Sequence, residues 1–294
     1  MKNAAIVCLT RGYNNIFQYE TLIKRNKKIF DNFNNRYEYP LIIFHEGNIS
    51  EQHQNYIKIN SRGQDLNFVN IKDQFTWPSD ITQIRDTRFN LGYRMMCRFH
   101  SYFIWDHVKD YDYILRVDED GFIDNLEYDI FEHMIENNLD YMTCRFMEEY
   151  HSLTNSTLPQ ACDQLLENWS VDDYDQSKDF WIPYTNLYAV KVSFFMQEKV
   201  QTFLKDLTSD VNFLMNRWGD APVHGITLKA FEAKTSFIKD CTYTHGSHGC
   251  TVKNGRALNG YLSEKEGEYF NLVPNKSAQV IEFDGQKLYN YGTI

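Results

Sequence analysis

Short apolar runs alternate with helical patterns through the first half of this 294-residue chain, and this alternation constrains the fold more than any other feature. The β-like runs are Ala4 to Leu9, Leu41 to His45, Leu66 to Ile71 and Tyr113 to Val117. Between the first two lies an amphipathic stretch whose apolar residues recur at helical spacing. Strands joined by helices predict a mixed, mainly parallel central sheet flanked by helices, which is an α/β fold.

The rest of the chain predicts further elements at less regular spacing. A helix is predicted from Leu91 to Trp105, because Met95, Phe99 and Phe103 repeat every four residues. The other predicted elements are helices over Asp129–Glu136, Phe194–Leu207 and Ala221–Phe231 and strands over Tyr141–Cys144 and Gln279–Phe283. Residues 155–177 form a polar region with one short predicted helix. Because no repeat or linker divides the sequence, a single domain over residues 1–294 is expected.

The formal net charge of the chain is -10. Nucleic-acid binding relies on many Lys and Arg contacts with phosphates, so DNA and RNA are not expected partners. A small anionic ligand would need a bridging cation, because the protein itself is acidic. Aromatic residues make up 16% of the chain, which supplies both a core and stacking surfaces for a cleft.

The N-terminus gives an expectation about location. After Met1, Lys2 and Asn3 the chain enters a β-like run, without the longer apolar stretch and cleavage site of a signal peptide. No run approaches the roughly 18 apolar residues that span a bilayer. The predicted location is therefore cytoplasmic, with no transmembrane segment.

Three acidic residues, Asp118, Glu119 and Asp120, directly follow the apolar run that ends at Val117. Ligands of open α/β sheets bind outside the carboxyl ends of the strands, so these carboxylates lie where a ligand is expected. Carboxylate oxygens hold hard divalent cations, and such a cation can neutralise a departing diphosphate. The pattern indicates transfer from a nucleotide sugar, but a solvated loop or a helix cap is the commoner explanation of an acidic turn taken alone.

A second cluster lies near the C-terminus, where Cys241, His245, His248 and Cys250 follow closely in the sequence. Thiolates and imidazoles are the usual zinc ligands, but this spacing is not a standard zinc pattern. A second interpretation gives one imidazole, from His245 or His248, to the same cation as the acidic residues, in a shell of oxygen and nitrogen that suits Mn²⁺. The third interpretation is a glycine-rich surface turn with ordinary histidines.

The segment from Arg217 to His224 has the sequence Arg-Trp-Gly-Asp-Ala-Pro-Val-His. Asp220 and Pro222 fit a helix start, because Asp caps helices and Pro is favoured in the first turn. The segment also fits a sugar pocket, in which Asp220 and His224 bind hydroxyls and Trp218 offers a stacking face. The sequence pattern leaves both interpretations open.

Together these segments resemble the fungal Golgi α-1,2-mannosyltransferase family, whose members transfer mannose from GDP-mannose with retention of configuration on a GT-A fold. The matching pieces follow the family's order and are Tyr39-Pro40, Tyr93 to Phe99, Tyr113 to Asp120, Tyr128-Asp129, Glu149-Tyr150, Arg217 to His224 and Tyr243 to His245. The resemblance implies a GT-A type nucleotide-sugar-binding domain. It also favours the metal interpretation of the acidic turn over the solvated loop.

The resemblance implies a role for individual residues. The family's Glu-Pro-Asp metal motif falls on Asp118-Glu119-Asp120, and its metal-binding histidine falls on His245. The implied metal ligands are Asp118, Asp120 and His245, with Mn²⁺ or another divalent cation bound. The implied donor-binding residues are Arg11, Tyr93, Arg98, Asp118 and His224. The implied catalytic residues are Tyr93, Tyr188 and Asp220.

Tyr188 marks a departure from the family. The family's Ser-Asn-Phe-Glu segment supplies a glutamate proposed as nucleophile or positioning base, and the corresponding stretch here is Thr185-Asn186-Leu187-Tyr188. A double displacement needs a nucleophile near the anomeric carbon. Either another carboxylate serves, Tyr188 acts, or the leaving phosphate assists a front-face attack.

The expected function is that of a metal-dependent retaining glycosyltransferase that transfers mannose from GDP-mannose to a glycan or glycoprotein acceptor. A different nucleotide sugar as donor is one alternative. A catalytically silent sugar-binding module of the same fold is another, because the family's glutamate is missing at Tyr188. A zinc-stabilised structural protein is the third, and it requires Cys241 and Cys250 to bind metal.

Overall fold

The computed structural model describes residues 3–79, 81, 83–167, 169–174, 180–246, 250–253, 256–259, 261–262, 280–283 and 286–290. The strands in this part of the chain are β1 (Ala4–Thr10), β2 (Leu41–His45), β3 (Leu66–Asn70), β4 (Tyr113–Val117), β5 (Gly121–Leu126), β6 (Tyr141–Thr143), β7 (Phe146–Met147), β8 (Ile182–Pro183), β9 (Leu187–Lys191), β10 (Thr235–Phe237), β11 (Cys241–His245), β12 (Cys250–Lys253), β13 (Arg256–Asn259), β14 (Tyr261–Leu262), β15 (Ile281–Phe283) and β16 (Gln286–Asn290).

The α-helices of the described residues are α1 (Glu20–Asn32), α2 (Glu51–Asn60), α3 (Leu91–Arg98), α4 (Ile104–Val108), α5 (Ile130–Glu136), α6 (Ser152–Leu165), α7 (Val192–Phe195), α8 (Glu198–Ser209), α9 (Val211–Met215) and α10 (Asp220–Ala230). A π-helical segment, Phe99–Phe103, joins α3 to α4. Short 3-10 helices cover Ile16–Tyr19, Asn34–Arg36, Lys72–Phe75 and Val171–Tyr174.

The central sheet has seven strands in the order β10-β6-β9-β4-β1-β2-β3. The pairs β4-β1, β1-β2, β2-β3 and β10-β6 are parallel, and β9 runs antiparallel to both of its neighbours. The predicted mixed, mainly parallel sheet is therefore confirmed. Parallel strands require crossover connections, and α1 and α2 supply them between β1, β2 and β3.

Successive residues of β1 pack on opposite faces of this sheet. Ala5 and Val7 join one buried cluster, and Ala4, Ile6 and Cys8 join the other. A strand that is buried on both faces must be apolar at every position, which explains the continuous apolar run in the sequence. Both faces of the sheet are thus covered, as the strand pattern predicts.

A second sheet, in the order β13-β12-β11-β5, stands beside the carboxyl end of β4. β11 pairs antiparallel with β5, so that His245 lies opposite Gly121. Glycine is required at position 121, because a side chain there would collide with the hydroxyl of Tyr243. The pairing brings His245 next to the acidic turn, although 125 residues of sequence separate His245 from Asp120.

The predicted helices and strands are present in the structure, although their bounds differ and several short elements were not predicted. The region predicted as polar with one short helix overlaps α6, which begins three residues before it at Ser152 and spans 14 residues. Its Thr, Asn and Ser residues and the internal Pro159 lower its intrinsic helix propensity. Burial of Leu158 and Cys162 against the core stabilises the helix despite that low propensity.

Two predictions about the whole chain are not tested by these elements. A single domain over residues 1–294 stays a prediction, and so does the cytoplasmic location. Within the part of the chain that the structure describes, no helix is both long enough and apolar enough to cross a membrane.

His224 makes stability sensitive to acid. Burial lowers the pKa of the His224 ring from 6.5 to about 4. Between these pH values the unfolded chain takes up a proton that the folded chain excludes, so stability is complete above pH 6.5 and falls as the pH drops. The expected loss from this one group is about 1.4 kcal/mol per pH unit.

Urea unfolding at pH 7, 6 and 5 measures this loss. His224→Gln should flatten the dependence of the unfolding free energy on pH by about one proton. An equal slope in wild type and His224→Gln would contradict the assignment.

Candidate active site

A cleft of about 490 Å³ lies at the carboxyl ends of β4 and β1. Its position agrees with the rule that ligands of α/β sheets bind where the strand order reverses. The lining includes Arg11, Tyr93, Arg116, Asp118, Glu119, Asp120, Glu149, Asn186, Arg217, Asp220 and His245. Among the described residues, no carboxylate lines a second cavity of about 580 Å³, whose lining includes Phe146, Trp181 and Phe237. The chemistry therefore points to the first cleft.

Asp118, Asp120 and His245 converge at one end of the cleft. The Nε2 atom of His245 lies 3.3 Å from Oδ1 of Asp120 and 3.6 Å from Oδ2 of Asp118. The side-chain nitrogen of Asn186 lies 2.8 Å from that Oδ2 atom and 2.8 Å from Nε2. The three side chains that the resemblance implies as metal ligands are thus neighbours in space.

The donor set has the chemistry of a divalent-cation site. Among the described residues, no three His, Cys, Asp or Glu side chains are already arranged to hold a metal ion. The amide nitrogen of Asn186 lies within hydrogen-bond distance of both Asp118 and His245. Ligands on one cation lie about 3 Å apart, close to the separations seen here, so two carboxylates and one imidazole fit such an ion once the amide moves aside.

Arg116 holds two carboxylates at the floor of the cleft. The buried guanidinium donates from Nε to Asp118 at 2.8 Å and from Nη1 to Asp220 at 2.6 Å. Burial raises the pKa of both carboxyl groups, but Arg116 and the neighbouring histidines together more than offset it and hold each pKa below its ordinary value. Asp118 and Asp220 are therefore ionised at neutral pH.

Arg217 organises another wall of the cleft. Its backbone is left-handed, with φ +58°, and its guanidinium lies 4.4 Å from the centre of the Phe89 ring. It donates to Glu149 at 3.0 Å and to the hydroxyl of Tyr93 at 2.9 Å. Burial raises the pKa of Tyr93 well above its ordinary value, so the phenol keeps its proton. Tyr93 thus presents a fixed hydroxyl to the cleft.

Arg11 and Glu119 meet at the end of β1. The Nε atom of Arg11 donates to the hydroxyl of Tyr13 at 3.0 Å and lies 3.9 Å from Oε1 of Glu119. The side chain of Arg11 is 70% exposed, and Arg11 lines the cleft. The arginine predicted to approach a nucleotide is thus placed at the cleft with its charge accessible.

The chain matches the family described as glycolipid 2-alpha-mannosyltransferase over residues 1–256. This match covers most of the sequence and includes every residue of the cleft described above. The chain belongs to this family. The family resemblance of the sequence motifs is therefore confirmed.

Two relatives show how far the similarity extends. Glycolipid 2-alpha-mannosyltransferase 1 of Candida albicans is 27% identical over 258 residues, which cover 76% of this chain and 59% of that protein. O-glycoside alpha-1,2-mannosyltransferase omh1 of Schizosaccharomyces pombe is 28% identical over 283 residues, which cover 85% of this chain and 71% of that protein. The chain thus spans less than two thirds of the length of the Candida relative.

Solved structures confirm the GT-A type fold. Core-mannan synthase A of Aspergillus fumigatus, solved in a Mn/GDP form, has a TM-score of 0.66 at 23% identity and covers 83% of this chain and 75% of its own. The mannosyltransferase Ktr4p of Saccharomyces cerevisiae, solved in complex with GDP, has the same TM-score at 18% identity and covers 83% and 71%.

Tyr188 takes the family's glutamate position but does not reach the cleft. It lies on β9 opposite Arg116, is fully buried, and stacks on Tyr141 with 5.1 Å between ring centres. The guanidinium of Arg116 lies 5.8 Å from the centre of its ring. Tyr188 is fully buried and is not in the lining of the cleft, so the geometry does not support its catalytic role, which stays a prediction.

His224 and Arg98 also lie outside the cleft lining. His224 is fully buried, with its ring nitrogens 3.2 Å from the hydroxyl of Tyr141 and 3.1 Å from the carbonyl oxygen of His100. The guanidinium of Arg98 lies 5.2 Å from the centre of the Phe103 ring. Neither side chain is in the lining of the cleft, so the geometry does not support their donor contacts, which stay predictions.

The zinc interpretation fails on distance. Cys241 and His245 are the first and last residues of β11, so their Cα atoms are about 13 Å apart in an extended strand. Ligands of one zinc ion lie about 4 Å apart or closer. Cys250 lies opposite His245, so the Cα atoms of Cys241 and Cys250 are also at least about 13 Å apart, more than the roughly 10 Å that two cysteines on one zinc ion can span. His248 lies outside the described part of the chain.

Sequence reasoning did not identify Arg116, Asn186, Glu149 or Arg217 as site residues. Asn186 lies two residues before Tyr188, the position of the family's glutamate. The pair Arg116 and Asp220 is 104 residues apart, and the pair Glu149 and Arg217 is 68 residues apart. In the sequence, the importance of these residues is indicated only by their place in or near segments that resemble the family.

Proposed function

We propose that this member of the glycolipid 2-alpha-mannosyltransferase family is a retaining α-mannosyltransferase that uses GDP-mannose and a divalent cation, Mn²⁺ foremost. The observation that carries the proposal is the convergence of Asp118, Asp120 and His245 at the carboxyl end of β4. The acceptor proposed is a glycan or a glycoprotein. The names of the relatives support the sugar, and the Mn/GDP form of the Aspergillus fumigatus structure supports the cation and the nucleotide.

The proposed roles follow from the charges in the cleft. A cation held by Asp118, Asp120 and His245 would supply the positive charge that stabilises a departing diphosphate. Arg11 adds a second, accessible positive charge near the end of β1. Without these charges an anionic donor would be repelled, because the cleft lining contains several ionised carboxylates.

The reacting end of the sugar is assigned to the wall formed by Tyr93, Arg217 and Asp220. Asp220 is ionised and locked by Arg116, so it accepts hydrogen bonds from sugar hydroxyls rather than attacking carbon. Tyr93 presents its protonated hydroxyl from a position that Arg217 fixes. These groups orient the sugar, which converts binding energy into alignment of the reacting atoms.

Burial of Tyr188 favours one of the three mechanisms considered. Glu119, Glu149 and Asp220 each bind a cationic or hydroxyl partner in the cleft, which lowers their nucleophilicity. We therefore favour front-face attack. The acceptor oxygen forms a bond to the anomeric carbon as the bond from that carbon to the phosphate oxygen breaks, and the acceptor proton passes to the leaving phosphate.

A donor screen tests the function. Purified protein is incubated with GDP-mannose, UDP-glucose, UDP-galactose and UDP-N-acetylglucosamine, each with Mn²⁺ and with a chelator, and nucleotide release is measured. Release of GDP from GDP-mannose only, and only with Mn²⁺, is the expected result. Release from a UDP-sugar instead would overturn the mannose assignment but keep the glycosyltransferase.

The screen also separates the enzyme from a silent module. An enzyme that waits for its acceptor releases little nucleotide but still binds GDP in the presence of Mn²⁺. Titration calorimetry with GDP measures that binding directly. Absence of both release and binding would favour a sugar-binding module of the same fold, for which the buried Tyr188 in place of the family's glutamate is the supporting observation.

A further inference from the structure

Asp86, His151 and Thr154 form a chain of polar contacts that ends at the backbone of Arg217, and none of the three lines the cleft. Nε2 of His151 lies 2.8 Å from Oδ2 of Asp86, and Nδ1 of His151 lies 2.8 Å from Oγ1 of Thr154. The Thr154 hydroxyl donates to the carbonyl oxygen of Arg217 at 2.9 Å. Asp86, His151 and Thr154 are called the relay below.

The residue types of the relay are those of a nucleophilic triad, but it cannot act as one. Thr154 is fully buried, and its hydroxyl proton is donated to Arg217. Nδ1 of His151 accepts the backbone N–H of Thr154 at 3.2 Å, so the ring proton lies on Nε2 and is donated to Asp86. Because a nucleophile must contact its substrate, the relay acts through the residues that it holds.

Asp86 anchors the outer end of the relay. Arg88 donates to its carboxylate from Nε at 2.8 Å and from Nη2 at 2.6 Å, and these bonds hold the pKa of Asp86 below its ordinary value. The buried guanidinium of Arg94 donates to the backbone carbonyl oxygen of Asp86 at 2.8 Å. Arg94 follows Tyr93 on α3, so Asp86 is tied to the helix that carries Tyr93.

The inner end of the relay fixes Arg217. The left-handed backbone of Arg217 is disfavoured for a residue with a Cβ atom, so it needs support from its surroundings, and the bond from Thr154 supplies support. The backbone N–H of His151 also donates to Oε1 of Glu149 at 2.8 Å, and Glu149 is the carboxylate that binds the Arg217 guanidinium. The Phe89 ring, which carries that guanidinium, contacts the His151 ring edge-on with 5.3 Å between ring centres.

We propose that the relay positions Arg217 and, through it, the hydroxyl of Tyr93 that faces the donor's sugar. This inference rests on the proposed function, because it needs a sugar nucleotide in the cleft. The nucleotide end of the donor is assigned to Arg11 and to the proposed cation, which the ends of β1, β4 and β11 hold. Loss of the relay should therefore weaken contacts with the sugar and leave contacts with the nucleotide intact.

Calorimetric titration in Mn²⁺ with GDP-mannose and with GDP tests the proposal. Thr154→Val removes only the hydroxyl that reaches Arg217. It is expected to raise the Kd for GDP-mannose about tenfold, because the Tyr93 hydroxyl loses its fixed position, and to change the Kd for GDP by less than about twofold. An unchanged Kd for GDP-mannose, or an equal loss for both ligands, would overturn the proposal.

Asp86→Ala breaks the relay at its other end, where the variant leaves the core intact if Thr154→Val does not fold. It should give the same selective loss of GDP-mannose binding. Asp73→Ala is the matched control, because Asp73 is an exposed carboxylate on the 3-10 segment Lys72–Phe75, and it should bind both ligands as wild type does.

His151→Asn separates the relay from a capping role. His151 is the N-cap of α6, where its side chain accepts the N–H of Thr154. Asparagine is a strong N-cap and keeps that bond, but its side chain is too short to reach Asp86. Selective loss of GDP-mannose binding is expected. Wild-type binding in His151→Asn would show that His151 only caps the helix, and the proposal would fall.

A double-mutant cycle shows whether the relay works through Tyr93. Asp86→Ala and Tyr93→Phe would impair the same contact with the sugar, so the double variant should bind GDP-mannose no more than about twofold more weakly than Tyr93→Phe alone. A loss equal to the product of the two single losses would mean that the relay does not act through Tyr93, which contradicts the proposal.

The same titrations distinguish this inference from the proposed function. If wild type binds both ligands and the relay variants bind them equally well, the donor assignment stands and only the relay falls. If wild type does not bind GDP-mannose, both fall together. Thermal unfolding of each variant within a few degrees of wild type shows that a loss of binding comes from the cleft.

Discussion

Asp118→Ala is expected to lower kcat for Mn²⁺-dependent transfer by about a thousandfold or more. The carboxylate lies 3.6 Å from His245 and is the member of the acidic turn that both Arg116 and Asn186 orient. Removing it takes away a proposed ligand of the cation that would stabilise the leaving diphosphate. Steady-state kinetics with GDP-mannose and the acceptor identified for the enzyme measure the loss.

Two measurements show that this loss is chemical. Circular dichroism and thermal unfolding should change little, because Arg116 keeps its bond to Asp220 at 2.6 Å. Asp110→Ala is the control. Asp110 is an exposed carboxylate that precedes the amino end of β4, whereas Asp118 follows its carboxyl end. Full activity in Asp118→Ala would refute the metal site.

Arg116→Met is expected to lower the free energy of unfolding by about 3–5 kcal/mol. Arg116 is 3% exposed and bonds both Asp118 and Asp220. Without the guanidinium, two ionised carboxylates would face each other in a buried site with no compensating charge. Urea unfolding at pH 7 measures the change.

The double variant Arg116→Met, Asp220→Leu tests the cause. Replacing both partners by apolar side chains removes the uncompensated charge, so the double variant should be more stable than Arg116→Met alone. Arg116→Lys keeps the positive charge but lacks the planar guanidinium that donates to two carboxylates at once. Its free energy of unfolding should lie between those of wild type and Arg116→Met. A change below about 1 kcal/mol in Arg116→Met would show that water already solvates the two carboxylates.

The sequence by itself determined the central sheet. The apolar runs that became β1 and β2 are nearly continuous because those strands are buried on both faces, and this requirement acts residue by residue along the chain. The placement of the acidic turn at the carboxyl end of β4 follows from the same local pattern. The acidic turn alone fitted both a metal site and a solvated loop. The resemblance of the surrounding segments to the family favoured the metal site.

Only the tertiary structure decided which side chains meet. β11 pairs with β5, and this pairing puts His245 beside Asp120, whereas the spacing of Cys241, His245 and Cys250 in the sequence had left zinc binding open. The pairing of β4 with β9 puts Tyr188 beneath Arg116 and away from the cleft. Local periodicity reports whether a residue is buried, but the partners of a buried residue depend on how distant strands and helices align, and no local pattern records that alignment.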